Sequence, residues 1–225
     1  MLADTLSETL QRLENAADAA HRPAPALLAV SKLQPASAVA ELARAGQRAF
    51  GENYVQEAQG KIAELAGMDL EWHLIGHLQS NKADIAARLF DWVQTVDRHK
   101  LIGALSRNRP PDRPPLNVLI QVNIDDEASK HGCRPDEVDA LAEAIAAAPA
   151  LRLRGLMAIP APHPDPTARI AAFSRMKTLH DRLASTYPGA DTLSMGMSDD
   201  FAQAVAYGAT MVRIGTALFG ARPAK

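Results

Sequence analysis

The chain has 225 residues, of which 47% are hydrophobic, and its 24 Lys and Arg residues nearly balance its 26 Asp and Glu residues. This length suits one substantial core, and the lack of a charge excess argues against nucleic acid or an anionic membrane as a partner. The N-terminus has no basic region followed by an apolar one, and no uncharged stretch reaches the roughly 18 residues of a membrane-spanning helix, so we expect a soluble, cytoplasmic protein. The single cysteine predicts no internal disulfide, and the spacing of the histidines predicts no metal site.

The chain begins with a predicted helix over residues 3–20. The apolar residues at the spacing of one helical stripe are Leu6, Leu10, Leu13 and Ala17. Thr5 and Glu8 have the spacing of a capping box, which predicts that they cap this helix.

After this helix, strand-like apolar runs alternate with helical patterns. The strand-like runs are LLAVSK, RAFGEN, LEWHLIG, DWVQTVD, LNVLIQVNI, LRLRGLMAIP, TLSMGMS and MVRIGT. Eight such units favour a parallel sheet that closes into a single (β/α)8 barrel of the TIM type, with an extra N-terminal helix. No break in composition divides the chain, so we expect residues 1–225 to form one domain.

Barrel enzymes place their sites at the C-terminal ends of the strands, which makes Lys32 the first candidate residue. Side chains alternate along a strand, so Leu28, Val30 and Lys32 share a face. If that face is the interior, the amine is partly desolvated, its pKa falls, and it can form a Schiff base with a carbonyl carbon. The alternative is a strand-end lysine that reaches solvent or pairs with a carboxylate.

The last two strands carry small and polar residues at the same end of the predicted barrel. In TLSMGMS, Ser194, Gly196 and Ser198 share one face, while Leu193, Met195 and Met197 share the other, which we expect to pack under helices. In MVRIGT, Arg213 shares a face with Gly215, and Thr216 follows. Loops after strands seven and eight often bind phosphate, so Ser198, Gly215 and Thr216 are candidate phosphate ligands. Tight packing that requires small residues is the alternative.

Two further polar residues follow strands on this side, Asn53 and His77. Each alone is often a turn former or a hydrogen-bonded cap. Asn53 is the stronger candidate, because Ala49, Gly51 and Asn53 alternate onto one face.

An amine, a phosphate seat and an arginine suit two classes of ligand. One is a sugar phosphate aldehyde, bound by an aldolase that needs no cofactor, and the other is pyridoxal 5′-phosphate (PLP). Beside a pyridine nitrogen, the permanent cation of Arg213 would keep that nitrogen unprotonated. An aldolase would want further lysines or carboxylates for proton transfer, and the predicted inward faces offer few.

Several segments together resemble the family of pyridoxal phosphate homeostasis proteins. They are AVSKLQP, FGENYVQEA, WHLIGHLQSNK, QVNIDDEASKHG, RGLMAIP, LSMGMSDDF and GATMVRIGTALFG, and they span nearly the whole chain. The resemblance implies a barrel similar to the N-terminal domain of alanine racemase and of eukaryotic-type ornithine decarboxylase. The segment APHPDP after RGLMAIP departs from it, since we expect a shorter connection with less proline there.

The resemblance also implies residue roles. Lys32 holds PLP as a Schiff base, Arg213 lies near the pyridine nitrogen, and the phosphate contacts Ser198, Gly215 and Thr216. Asn53, His77 and Ser194 match positions near the cofactor.

For function, the resemblance implies a PLP carrier and regulator in intracellular vitamin B6 and amino-acid homeostasis, without an established turnover and with no catalytic residue assigned. Apo PLP-dependent enzymes are candidate partners. Relatives such as alanine racemase take a catalytic base from a second, β-rich domain, whereas the predicted elements here end with the eighth unit, and we expect a monomer. The alternative is a PLP-dependent amino-acid racemase that acts from the barrel alone.

Overall fold

Eight parallel strands close into a barrel in a computed structural model that describes residues 1–127, 130–161 and 166–220. The strands are β1 (Ala26–Val30), β2 (Ala49–Glu52), β3 (Glu71–Leu74), β4 (Trp92–Val96), β5 (Leu116–Val122), β6 (Leu151–Ala158), β7 (Thr192–Ser194) and β8 (Met211–Ile214). Their order around the barrel is their order along the chain, and β8 pairs with β1. The predicted (β/α)8 barrel is confirmed. Residues 162–165, within the connection that departs from the family pattern, lie outside the described residues.

Helices surround the barrel and connect its strands. They are α1 (Leu2–Ala19), α2 (Ala36–Arg44), α3 (Val55–Glu64), α4 (Ala83–Leu89), α5 (His99–Asn108), α6 (Val138–Ala146), α7 (Pro166–Thr186), α8 (Phe201–Ala206) and α9 (Thr216–Phe219). Helix α1 precedes the first strand, as predicted, and packs against α2, α8 and α9. Within the described part of the chain, no helix has the length and apolar character that crossing a bilayer requires.

The start of α1 differs from the prediction. The helix begins at Leu2, so Thr5 lies inside it rather than at its cap. The Thr5 hydroxyl donates to the carbonyl oxygen of Met1 at 3.2 Å. The predicted capping by Thr5 and Glu8 is therefore wrong, because the motif fits a later start than the helix uses.

The buried stripe of α1 also differs by one position. Leu6, Leu13 and Ala17 are buried as predicted, whereas Leu10 is 42% exposed and Thr9 takes the buried place. Thr9 tolerates burial because its hydroxyl donates to the carbonyl oxygen one turn earlier, at 2.7 Å. A threonine that satisfies its own hydroxyl in this way is not visible as part of an apolar stripe.

Strand β6 contains an irregularity at Gly155. Its pairing with β5 shifts register there, because Val118 pairs with Leu153 while the next residue of β5 pairs with Gly155. Gly155 has φ +134°, and a Cβ atom at this position would overlap the Thr192 carbonyl oxygen on β7. The close approach of β6 and β7 therefore requires glycine.

We expect Gly155→Ala to lower the free energy of unfolding by roughly 2 kcal/mol or more, because it combines backbone strain with overlap of a neighbouring strand. The matched control is Gly60→Ala, at an exposed site in α3 where a Cβ atom meets nothing within 4 Å. The control should stabilise the protein by up to about 1 kcal/mol, since alanine is the better helix former. Urea unfolding followed by circular dichroism measures both, and equal stabilities would contradict the assignment.

Candidate functional site

A cavity of about 330 Å³ opens at the C-terminal end of the barrel. Its lining comprises Val30, Lys32, Gln34, Asn53, Ile75, Ile159, Met197, Ser198, Asp199, Arg213, Gly215, Thr216 and Gly220. These residues follow or end strands β1, β2, β3, β6, β7 and β8. The cavity thus brings together most of the residues that the sequence analysis singled out, among them both basic candidates, Lys32 and Arg213.

Lys32 reaches the cavity from a tight turn rather than from the strand itself. Strand β1 ends at Val30, and the Gln34 amide then donates to the Ser31 carbonyl oxygen at 3.0 Å. Leu28 and Val30 face the barrel interior, where Leu28 packs with Ile75 and Met211, so the face that these two residues share is the interior one. Lys32 continues the row into the mouth of the barrel.

The turn contains a residue in an unusual conformation. Leu33, which follows Lys32, has φ 63°, in the left-handed region that non-glycine residues seldom adopt. Its amide donates to Glu57 Oε1 at 2.5 Å, and this contact with helix α3 holds the strained backbone. The position of Lys32 therefore depends on an interaction with the neighbouring unit of the barrel.

Behind the turn lies a buried polar group that we call the Lys61 clamp, made of Ser31, Glu52, Glu57 and Lys61. Lys61 Nζ donates at 2.7 Å to the Ser31 carbonyl oxygen, to Glu52 Oε1 and to Glu57 Oε1. The Ser31 hydroxyl donates to the same Glu52 oxygen at 2.5 Å. The clamp therefore ties the Lys32 turn to β2 and α3 at once.

Glu52 is the electrostatically costly member of the clamp. Its side chain is fully buried, and Oε2 has no hydrogen-bond partner among the described residues. Burial raises the Glu52 pKa, although the hydrogen bonds from Lys61 and Ser31 oppose this rise. The clamp was not predicted from the sequence, where the four-residue spacing of Glu57 and Lys61 was the available signal.

Arg213 lies in the barrel interior, with 4% of its surface exposed. Its Nη1 donates to Ser194 Oγ at 2.7 Å and its Nη2 to the Ala158 carbonyl oxygen at 2.8 Å. Both acceptors are neutral, and the ion pairs found within the described residues do not include Arg213. Burial lowers the pKa of Arg213 to about 10, while Asp200 acts in the opposite direction. A further acceptor from a ligand would offset part of this desolvation.

Ser194 lies beneath the cavity rather than in its lining. It is fully buried on β7, accepts from Arg213, and donates from Oγ to Gln94 Oε1 at 2.7 Å. Ser194 therefore contacts Arg213 from inside the barrel, and its place near a ligand is indirect.

His77 lies away from this cavity. Strand β3 ends at Leu74, and Gly76 packs so closely under the backbone of Asn53 that a side chain there would overlap it. His77 continues into the next loop, where its ring stacks on that of His131 with centroids 3.6 Å apart. Burial and the neighbouring His131 lower the pKa of His77.

Strand β7 is shorter than TLSMGMS suggested. It ends at Ser194, and the φ of 95° at Gly196 breaks the alternation of side chains. A Cβ atom at Gly196 would overlap the side chain of Ala204 on α8, so the position requires glycine. As a result Met197 lines the cavity and is 40% exposed, so the expectation that it packs under helices is wrong. Ser198 lines the cavity as well.

Comparison with known proteins identifies the family. Residues 4–223 match the family model described as alanine racemase, N-terminal domain. A pyridoxal phosphate homeostasis protein of Pseudomonas aeruginosa is 55% identical over 223 residues, covering 98% of this chain and 96% of the relative. One from Escherichia coli is 56% identical over 199 residues, with 87% and 85% covered.

Solved structures with the same fold include two of PipY. PipY of Synechococcus elongatus without PLP superimposes with a TM-score of 0.88 at 38% identity, covering 98% of this chain and 100% of PipY. PipY with PLP bound has a TM-score of 0.83 at 37% identity, with the same coverage. D-threonine aldolase of Filomicrobium marinum, at 21% identity and a TM-score of 0.76, shares the fold, and the match covers 100% of this chain and 62% of that protein.

We expect Lys61→Met to lower the free energy of unfolding by about 3 kcal/mol at pH 8, because it leaves the buried Glu52 carboxylate without its cation. The loss should be smaller at pH 5. The folded-state pKa of Glu52 is already raised and rises further without Lys61, whereas the unfolded carboxyl keeps its ordinary pKa. The variant therefore loses stability as the pH rises from the pKa of Glu52 in the unfolded chain through its pKa in the folded protein.

Urea unfolding of the wild type and the variant at both pH values measures this difference. The matched control is Lys177→Met, whose ion pair with Asp181 lies at the surface and should change stability by less than about 0.5 kcal/mol. A deficit in Lys61→Met that is the same at pH 5 and pH 8 would contradict the role given to Glu52.

Proposed function

The chain belongs to the family of pyridoxal phosphate homeostasis proteins, and from this premise we propose that it binds PLP in the cavity at the C-terminal end of its barrel. Lys32 is the proposed point of attachment. One observation carries the proposal: an amine, a buried guanidinium and hydroxyl groups line the same cavity of about 330 Å³. PLP supplies a reactive aldehyde and an electron-withdrawing ring when it is bound.

Lys32 and Arg213 suit opposite ends of the cofactor ring. The aldehyde carbon and the ring nitrogen of PLP lie across the ring from each other. Lys32 would hold the group through its Nζ, whose amine can condense with the aldehyde carbon to a C=N bond with loss of one water molecule. Arg213 pairs in register with Leu28, deeper in the barrel than Lys32, where its guanidinium can face the ring nitrogen. Because the guanidinium only donates hydrogen bonds, it favours an unprotonated ring nitrogen.

The phosphate contacts that we propose come from Ser198, Gly215 and Thr216, which line the cavity after β7 and β8. Hydroxyl and backbone N–H donors bind a phosphate dianion through charge-assisted hydrogen bonds. At Gly215 a Cβ atom would lie 3.2 Å from the Val30 carbonyl oxygen and 3.3 Å from Val30 Cβ, so this corner has little space for a side chain. Asn53, on the same lining, is a further proposed contact.

We propose that the protein holds and releases PLP in vitamin B6 and amino-acid homeostasis inside the cell, with apo PLP-dependent enzymes as recipients. Its family membership and the cavity support this role. The alternative, a racemase that acts from the barrel alone, is distinguished by solvent deuterium at Cα of a panel of amino acids. The carrier role predicts no exchange above that caused by free PLP.

Purified protein incubated with PLP should show an absorption band of an imine, and Lys32→Ala should lose it. Borohydride reduction should add the mass of one pyridoxyl phosphate group, which peptide mapping assigns to Lys32. Lys100→Ala, at an exposed position in α5, is the control and should behave as the wild type. A reduced adduct on any other lysine would refute the attachment point, and a sugar phosphate adduct would favour an aldolase.

Thr216→Val should raise the Kd for PLP by about tenfold or more, because it removes one hydroxyl donor from a charged phosphate. The methyl group keeps the shape of the side chain, so stability should change little. Thr178→Val is the control, since the Thr178 hydroxyl donates to a backbone carbonyl on the surface of α7. Fluorescence titration measures both, and equal affinities would argue against a phosphate contact at Thr216.

A further inference from the structure

A continuous line of hydrogen bonds runs through the barrel interior from Arg213 to Glu71. Arg213 Nη1 contacts Ser194 Oγ at 2.7 Å, and Ser194 Oγ contacts Gln94 Oε1 at 2.7 Å. Gln94 Nε2 contacts His73 Nδ1 at 2.9 Å, and His73 Nε2 contacts Glu71 Oε1 at 2.8 Å. The line crosses strands β8, β7, β4 and β3.

The chemistry of the two ends determines the direction of every bond in this line. A guanidinium only donates and a carboxylate only accepts. Ser194 therefore accepts from Arg213 and uses its own proton on Gln94 Oε1. The Gln94 amide nitrogen then donates to His73 Nδ1, so the His73 proton lies on Nε2 and is donated to Glu71.

Gln94 has no alternative orientation with equal contacts. Its Nε2 also donates to Met211 Sδ at 3.2 Å, so both amide protons and the amide oxygen have partners. A reversed amide would place N–H groups against the Ser194 hydroxyl and oxygen against His73 Nδ1. The neutral imidazole would then need its proton on Nδ1, and the Glu71 carboxylate would lose its donor.

Burial makes these bonds costly to break. His73, Gln94 and Ser194 are each 0% exposed, whereas the Glu71 side chain is 46% exposed at the start of β3. His73 stacks on Trp92 with ring centroids 5.0 Å apart, and the Arg154 guanidinium covers the Trp92 ring. The hydrogen bond from His73 is the main cause that lowers the Glu71 pKa, with Arg154 as a weaker contributor. A buried donor or acceptor left without its partner costs about 1–3 kcal/mol.

We propose that Glu71, His73, Gln94 and Ser194 form a one-directional relay that sets the orientation of Arg213 from the opposite end of the barrel. Glu71 selects the His73 tautomer, the tautomer selects the Gln94 amide orientation, and the amide fixes the Ser194 hydroxyl on which Arg213 rests. These four are positioning residues, since none of them lines the cavity, whereas Arg213 does. That Arg213 in turn orients the cofactor ring rests on the proposed function.

The relay itself is tested on protein without ligand. Long-range proton–nitrogen spectra of ¹⁵N-labelled protein report the tautomer of each histidine, and slow rotation of the Arg213 guanidinium reports how firmly it is held. The wild type should show His73 protonated on Nε2 and hindered rotation of Arg213. Glu71→Leu should remove the single-tautomer signature, and Gln94→Leu should free the guanidinium while His73 keeps its proton on Nε2.

Gln121→Leu is the matched control. Gln121 is another buried glutamine, on the adjacent strand β5, and its Nε2 donates to the His131 carbonyl oxygen outside the relay. It should leave the His73 tautomer and Arg213 rotation unchanged. His73 protonated on Nδ1 in the wild type, or equal guanidinium rotation in the wild type and Gln94→Leu, would overturn the relay.

The PLP-loaded protein gives a second readout. Gln94→Leu should raise the Kd for PLP by about tenfold and change the pH at which the imine band titrates, whereas Glu71→Gln, which keeps an acceptor at the same place, should lie between it and the wild type. Absence of an imine band in the wild type would refute the proposed function and leave the relay standing. A normal imine band with unchanged titration in Gln94→Leu would refute the control of the ring by the relay.

Discussion

The constraint on which the site depends is that a permanent cation, the Arg213 guanidinium, is buried inside a closed barrel. Arg213 is almost fully buried, and the oxygen atoms that accept its hydrogen bonds among the described residues are neutral. A guanidinium cannot escape this cost by releasing its proton at physiological pH, even though burial lowers its pKa to about 10. Buried polar groups must therefore be placed so that they accept hydrogen bonds from the Arg213 guanidinium.

This requirement explains why the centre of the barrel is not uniformly apolar. Two small apolar clusters occupy the interior, Leu28 with Ile75 and Met211, and Trp92 with Leu119 and Met157. The relay contacts both, because Gln94 donates to Met211 and His73 stacks on Trp92. A line of polar groups that satisfy one another can cross the core at little net cost, whereas a broken line leaves several buried groups without partners.

Local patterns in the sequence were sufficient for the barrel and for most of the residues that line its mouth, since alternation and helical spacing depend on near neighbours. They failed for His77, Ser194 and Met197. They could not show where a strand ends. The turn at Ser31, the break at Gly196 and the close approach at Gly76 are set by contacts between units, and they decide which side chains enter the cavity. Lys61 likewise donates across units to the Ser31 carbonyl oxygen. A hydrogen bond like that between Gln94 and Ser194, which are 100 residues apart, leaves no local pattern.

The two basic residues of the cavity also bear on how a ligand is retained. Lys32 and Arg213 belong to adjacent units, β1 and β8, and both line the cavity. Basic side chains attract an anionic ligand, whereas they do not attract a neutral molecule of the same shape. The proposed C=N bond to Lys32 would be reversible by water, so the covalent link alone would not set how long the proposed cofactor stays. Retention would then follow from the proposed contacts at Arg213 and the hydroxyl groups, and changes in these contacts would alter how long the cofactor stays without altering the proposed attachment at Lys32.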